Sequence, residues 1–170
     1  MQKETFAELV LSKKDKMFRF ALSYLKCDQD AKDVVQDVLI KLWETRHELN
    51  EKRNLEAWCM TMVKNKSMDA LKRVGRKMKS DWNETALNTP LNSENPLEVT
   101  ANKESLKHVM EIVDELPVSQ RDSFNLRDVQ GYSYIEIAEI LDMNMSQVKV
   151  NIFRARKTIQ EKLIKVYNYG

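Results

Sequence analysis

Two helix-start signals stand close together in the last third of the chain: Ser133 followed by Glu136, and Asn144 followed by Gln147. In such a capping box each side chain bonds the other's backbone N–H, so a helix begins there and nowhere nearby. The first helix has room for little more than two turns, with Ile135, Ala138 and Leu141 as its apolar face and Ala138 small enough for a second helix to approach. A turn is expected at Asp142–Met145. In the second helix Val148 and Ile152 point inward, while Gln147, Lys149, Val150, Asn151 and Arg154 point out. This is the pattern of a helix-turn-helix, whose second helix enters the major groove of DNA. The exposed chemistry suits the groove. Lys149 and Arg154 can donate to guanine edges or phosphates, Asn151 can pair with adenine, and Val150 can meet a thymine methyl.

The rest of the sequence is built for helices too. Three Gly and three Pro in 170 residues are too few for a fold of many strands and tight turns. The net charge of +2 hides an uneven distribution. Lys64–Lys79 holds seven basic residues against Asp69, and the stretch from Asn144 onward holds six against Glu161. Between them, residues 80–116 carry eight acids against Lys103 and Lys107. Two basic blocks around an acidic middle predict two contacts with a polyanion. Cys27, Cys59, His47 and His108 have no metal-ligand spacing, and no apolar run is long enough for a membrane span. A cytoplasmic protein without direct membrane insertion is expected.

Along the chain, residues 4–26 show helical spacing through Phe6, Leu9, Val10, Met17, Phe20 and Tyr24, and Asp28 is placed to cap the next helix. There Val34, Val35, Val38, Leu42 and Trp43 form a stripe expected to be core, with Asp30, Asp33, Gln36 and Asp37 opposite. After a polar break at His47–Asn54, Leu55–Arg73 reads as a third amphipathic helix that stops before Gly75. Residues 78–102, with Asn83, Asn88, Pro90, Ser93 and Pro96, read as a flexible linker. Helical spacing returns near Lys103; Pro117 suits the first turn of the following helix, which Gly131 closes. The expected fold is all-α: two small helical domains, residues 1–77 and 103–170, joined by the linker 78–102.

Leu116-Pro117, Arg121, Leu126-Arg127, Gly131-Tyr-Ser-Tyr-Ile-Glu-Ile-Ala, Val148-Lys149 and Arg154-Ala155-Arg156 together resemble the C-terminal domain of extracytoplasmic-function (ECF) sigma factors of bacterial RNA polymerase. Independently, Asp30-Ala-Lys-Asp-Val-Val-Gln-Asp-Val-Leu-Ile-Lys-Leu-Trp resembles the family's polymerase-binding helix. Ala57-Trp-Cys-Met-Thr-Met-Val-Lys-Asn-Lys-Ser-Met-Asp-Ala-Leu-Lys-Arg resembles its promoter-melting helix. Val150 departs from a usually small or hydroxylated position, and Lys32 from an often acidic one.

The resemblance implies an alternative sigma factor that binds core RNA polymerase and promoter DNA, governed by an anti-sigma factor, membrane-bound or not. It assigns Asp33, Gln36, Asp37 and Ile40 to polymerase. Arg127, Gln147, Lys149, Val150, Asn151, Phe153 and Arg154 fall to the minus-35 element. Asn54, Trp58, Lys64, Asn65, Lys66, Lys72 and Arg73 fall to the minus-10 element, read as single strand. Trp58 has two readings: a stacking platform for a base, or core together with Met62. No nucleophile stands with a base and an orienting group, and no Gly-rich phosphate loop occurs, so no enzyme, cofactor or small-molecule substrate is expected. The rival functions are a helix-turn-helix regulator acting without polymerase, and a decoy that sequesters an anti-sigma factor.

Overall fold

The computed structural model describes residues 3–48, 54–80 and 101–168, and these are built from helices. The chain divides into two compact units, residues 1–92 and 93–170.

The first unit holds α1 (Lys3–Leu11), α2 (Lys14–Leu25), α3 (Asp28–Glu44) and α4 (Leu55–Ser80). The periodic stretch 4–26 is two helices. The chain turns at Ser12–Lys13, where the Lys13 N–H donates to Val10 O at 3.1 Å and Ser12 Oγ to Leu9 O at 2.9 Å. Lys26, left-handed at φ 54°, closes α2. Asp28 does not cap α3. Cys27 holds the extended cap position without a side-chain bond, and Asp28 and Asp30 lie in the first turn, where their charge is stabilised by the positive end of the helix dipole. Helices α2, α3 and α4 pack on one another. Met17, Phe20, Val38, Leu42, Met60 and Val63 are almost wholly buried on these helices, as is Val10 on α1. Each such side chain contributes about 1.5–3 kcal/mol on leaving water. Trp43, expected in this core, is only partly covered: its ring meets Phe6 edge-on at 5.4 Å and carries the Arg46 guanidinium at 4.2 Å. α4 does not stop before Gly75 but runs through it to Ser80. A single Gly costs a helix only about 1 kcal/mol, too little to end one already seated on a core.

The second unit holds α5 (Ala101–Asp114), α6 (Val118–Phe124) continuing into a π turn at Asn125–Val129, α7 (Tyr134–Leu141) and α8 (Met145–Asn168). Helices α5, α6 and α7 all pack against α8. Ile112, Val113, Leu116, Ala155 and Ile159 form one buried cluster, partly covered by Val109, Phe124 and Leu163. Pro117 is the residue before α6, with extended ψ 143°, and not its first turn. Gly131 has φ +79° and ends the π turn as expected. Ile135 is not part of the buried face of α7: it is 71% exposed, Ala138 is half-buried, and Ile137, Ile140 and Leu141 face inward. The reason lies before the helix. Tyr132 and Ile137 occupy the two positions of a hydrophobic staple around the Ser133 cap, and both are buried, which turns Ile135 to the far side. The linker positions 81–100 lie outside the described residues; 78–80 and 101–102 are helical.

Candidate nucleic-acid interface

Both predicted capping boxes form. Ser133 Oγ accepts the Glu136 N–H at 3.2 Å while Glu136 Oε2 accepts that of Ser133 at 2.9 Å. Asn144 and Gln147 make the same exchange at the start of α8. Between them, Asp142 at φ 53° and the Met143 N–H, bonded to Ala138 O at 2.9 Å, close α7. The boxes fix where α8 starts, and the burial of Val148, Ile152, Ala155 and Ile159 fixes its roll. Gln147, Lys149, Val150, Phe153 and Arg154 are therefore exposed together, with Phe153 67% accessible. Asn151 is half-buried and its Nδ2 donates to Met143 Sδ at 3.4 Å. A cleft of about 460 Å³ runs beside Asn144, Gln147, Val150, Asn151 and Arg154, bounded by Ser119 of α6.

Arg127, assigned to the minus-35 element from sequence, is half-buried and engaged within its own unit. Its Nη1 donates to the Tyr132 carbonyl at 2.9 Å, and its guanidinium lies 4.8 Å from the centre of the Tyr134 ring. Next to it Asp128 takes both arms of Arg156, at 2.9 Å from Nε and 2.6 Å from Nη2. That bond, aided by Tyr134, raises the Arg156 pKa further above its ordinary value. The sequence carried no signal for this pair, because the partners sit on different helices at no repeating distance.

In the first unit Asp33, Gln36, Asp37 and Ile40 are exposed on α3, with Ile40 at 52%. Asp33 Oδ1 accepts from Gln29 Nε2 at 3.2 Å. A cleft of about 520 Å³ separates this acidic face from α4, and Arg73 and Val74 form its other wall. Arg73, assigned to DNA from sequence, thus stands beside the acids of α3. On α4, Trp58, Asn65 and Lys72 recur every seven residues and share one stripe, away from buried Met60, Val63 and Ser67. Asn65 and Lys72 are exposed, whereas Trp58, Lys64 and Lys66 are half-buried.

Asn54 caps α4: its Oδ1 accepts the Ala57 N–H at 2.9 Å. Glu56 ties the same end to the α1–α2 corner through Lys13 at 2.9 Å and Lys16 at 3.1 Å. Behind it, burial and then the Glu56 charge push the Cys59 thiol up to about 12. Of the polar break His47–Asn54, residues 49–53 lie outside the described residues. Among the described residues no group of His, Cys, Asp and Glu could hold a metal ion, and no helix is long and apolar enough to cross a membrane.

This arrangement has known counterparts in both halves. Residues 9–77 match the family model of sigma-70 region 2, and residues 106–159 match that of sigma-70 region 4. The chain belongs to the sigma-70 family, as an ECF sigma factor. It is 25% identical over 158 residues to the ECF RNA polymerase sigma factor SigE of Mycolicibacterium smegmatis, covering 93% of this chain but 61% of that relative. With the ECF RNA polymerase sigma-E factor of Haemophilus influenzae it shares 26% over 168 residues, 95% of this chain and 88% of the relative. The Escherichia coli sigma-E factor is 28% identical over 141 residues, covering 79% and 74%. Among solved structures, the sigma factor RpoE from Bartonella quintana, crystallised with the anti-sigma factor NepR, superposes with a TM-score of 0.75 at 24% identity, covering 94% of this chain and 97% of that one. CnrH, solved with the cytosolic domain of CnrY, superposes at 0.69 and 21% identity, covering 96% and 90%. Those two likenesses show the fold of this sigma factor.

Proposed function

We propose that this ECF sigma factor binds core RNA polymerase in the cytoplasm and directs it to a defined set of promoters, under the control of an anti-sigma factor. Residues 1–77 act as the polymerase-binding and minus-10 domain, and residues 103–170 as the minus-35 domain. The observation that carries the reading is the roll of α8: Val148, Ile152, Ala155 and Ile159 are buried, so Lys149, Val150, Phe153 and Arg154 project together from a capped helix. A bidentate side chain on such a helix discriminates its base by about 1–3 kcal/mol.

In the first domain the exposed acids of α3 suit a basic partner helix on polymerase. The stripe Trp58, Asn65 and Lys72, flanked by Lys64 and Lys66, suits an unpaired strand: amide groups for a base edge, an indole for stacking and cations for the backbone. Asn54 supports α4 through its cap, and its Nδ2 is a donor suited to DNA. Anti-sigma control is supported by the structural relative RpoE, crystallised with the anti-sigma factor NepR. The sigma factor separates strands by binding, and polymerase performs the chemistry.

The test is transcription in vitro with core polymerase over a pool of random promoters. Enrichment of one two-part motif in the transcribed templates is the expected result. Output indistinguishable from core polymerase alone would sink the proposal.

A further inference from the structure

The groups behind the recognition helix make a connected set that joins three segments of the second unit. The π turn brings Asp128 to Arg156 of α8, a fork-to-fork bond at 2.9 and 2.6 Å. One residue earlier, Arg127 reaches forward to the Tyr132 carbonyl at 2.9 Å and lies over the ring of Tyr134, the first residue of α7. The turn itself is held by the Gln130 N–H on Asn125 O at 3.0 Å and by a buried bond from Gln130 Nε2 to Asn125 Oδ1 at 3.1 Å. Adjacent residues of one turn thus grip α7 and α8 separately. Arg156 lies about 200° around the helix from Arg154 but seven residues beyond Lys149, on the stripe of Lys149, so its occupied fork, and not its side of α8, sets it apart from the residues offered to DNA.

We propose that Asp128 and Arg156, with Arg127, are positioning residues for minus-35 recognition: they set the tilt of α8 against α7, its roll being fixed by its buried face, and Asp128 and Arg156 act through this brace and not on DNA. The inference rests on the reading of α8 as the minus-35 helix. Two observations favour a brace over a phosphate grip. The Arg156 fork is already filled by a carboxylate in bidentate geometry, which fixes orientation as well as charge. Arg127 commits one N–H to a backbone carbonyl and lays its guanidinium over a ring within its own unit. A brace matters because misplacing a reading group by about 1 Å loses much of its discrimination.

The test uses full-length protein in holoenzyme on a promoter selected from the random pool, and on the same promoter with its minus-35 element scrambled. Asp128→Arg and Arg156→Asp are each expected to lower the preference for the intact element about tenfold, within the range of coupled neighbours. The double exchange restores most of it. The salt dependence of promoter binding stays unchanged throughout, since no phosphate contact is lost. Asp128→Asn removes the charge at constant size and should lose preference too, which guards against misfolding of the reversed variants. The brace is overturned if the single variants keep their preference. It is also overturned if the exchange fails to restore preference while Arg156→Asp lowers the salt slope by about one, the mark of a phosphate contact. Arg154→Ala, run alongside, separates the two levels. Loss of preference there without loss in the brace variants overturns the brace and leaves the minus-35 reading standing. Preference intact in Arg154→Ala removes the reading and the brace with it.

Discussion

Asn144 and Gln147 hold each other at the head of α8: Asn144 Oδ1 accepts the Gln147 N–H at 2.8 Å, and Gln147 Oε1 accepts the Asn144 N–H at 3.0 Å. While the cap is closed, Gln147 offers DNA the two donors of its Nε2, with one lone pair of its oxygen engaged. Asn144→Ala is expected to cost about 1 kcal/mol of stability in urea denaturation. Gln147→Glu preserves the cap, since Glu serves the same position in capping boxes, yet sets an anion against phosphate. It should melt like the parent protein and bind promoter more weakly. Equal binding by Gln147→Glu would remove this residue from the interface.

Asp33 and Asp37 are exposed on α3, with Arg73 on the facing wall of their cleft. Reversing both to Lys should weaken holoenzyme formation by about 2–5 kcal/mol if the contact is desolvated, and less at a rim. The fold should survive, because both side chains are on the surface. Competition with the parent protein for core polymerase measures the loss. Unchanged competition would take these acids out of the polymerase contact.

Arg154→Ala distinguishes reading from gripping. A lost base contact relaxes preference at one promoter position at a cost of about 1–3 kcal/mol, while a lost phosphate contact weakens every promoter and lowers the salt slope by about one. The first behaviour is expected of Arg154. Promoter choice and salt dependence that both match the parent would show that α8 is not in the groove.

Gly75 sits inside α4, and a Cβ added there meets nothing within 4 Å. Gly75→Ala should therefore stabilise the protein by about 0.5–1 kcal/mol, through helix propensity and a less flexible unfolded chain. A thermal melt that falls instead would mean the helix is not formed at this position in solution.

Cys59 is buried, with its thiol raised from 9.0 to about 12, whereas Cys27 is half-buried. At pH 8 an alkylating reagent should modify Cys27 well before Cys59, as peptide mapping would show. The sign for stability follows from the raised value. Below pH 9 both folded and unfolded thiols are protonated and the contribution is complete. Between pH 9 and about 12 the unfolded thiol ionises first, so stability falls. Cys59→Ser should flatten that fall, and an identical profile would assign it to other groups.

The sequence disclosed what depends on near neighbours. Both capping boxes, the inward stripe of α8 and the left-handed Gly131 are local patterns with one physical solution each. It misled where tertiary packing outvotes local preference. Gly75 looked like a stop, but α4 crosses it; Asp28 looked like a cap, but the helix begins one residue earlier than that role allows. Ile135 looked buried because its spacing with Ala138 and Leu141 is helical, and only the staple of Tyr132 and Ile137 decides which way the stripe faces. In the candidate site, exposure on α8 was legible. The engagement of Arg127 was not, since Tyr134 meets it through a turn whose π geometry no hydrophobic period announces.

A π turn contains one more residue than the α turn it replaces, so the segment from Val118 to Gln130 is constrained in count more than in kind. Each residue after the bulge is rotated by about 100° from where an uninterrupted helix would put it. Removing a single position would restore an ordinary helix, swing Asp128 away from Arg156 and feed Gly131 into the wrong turn. Exposed side chains here, such as Val129, can drift in an evolving lineage. Single-residue insertions and deletions are closed to it.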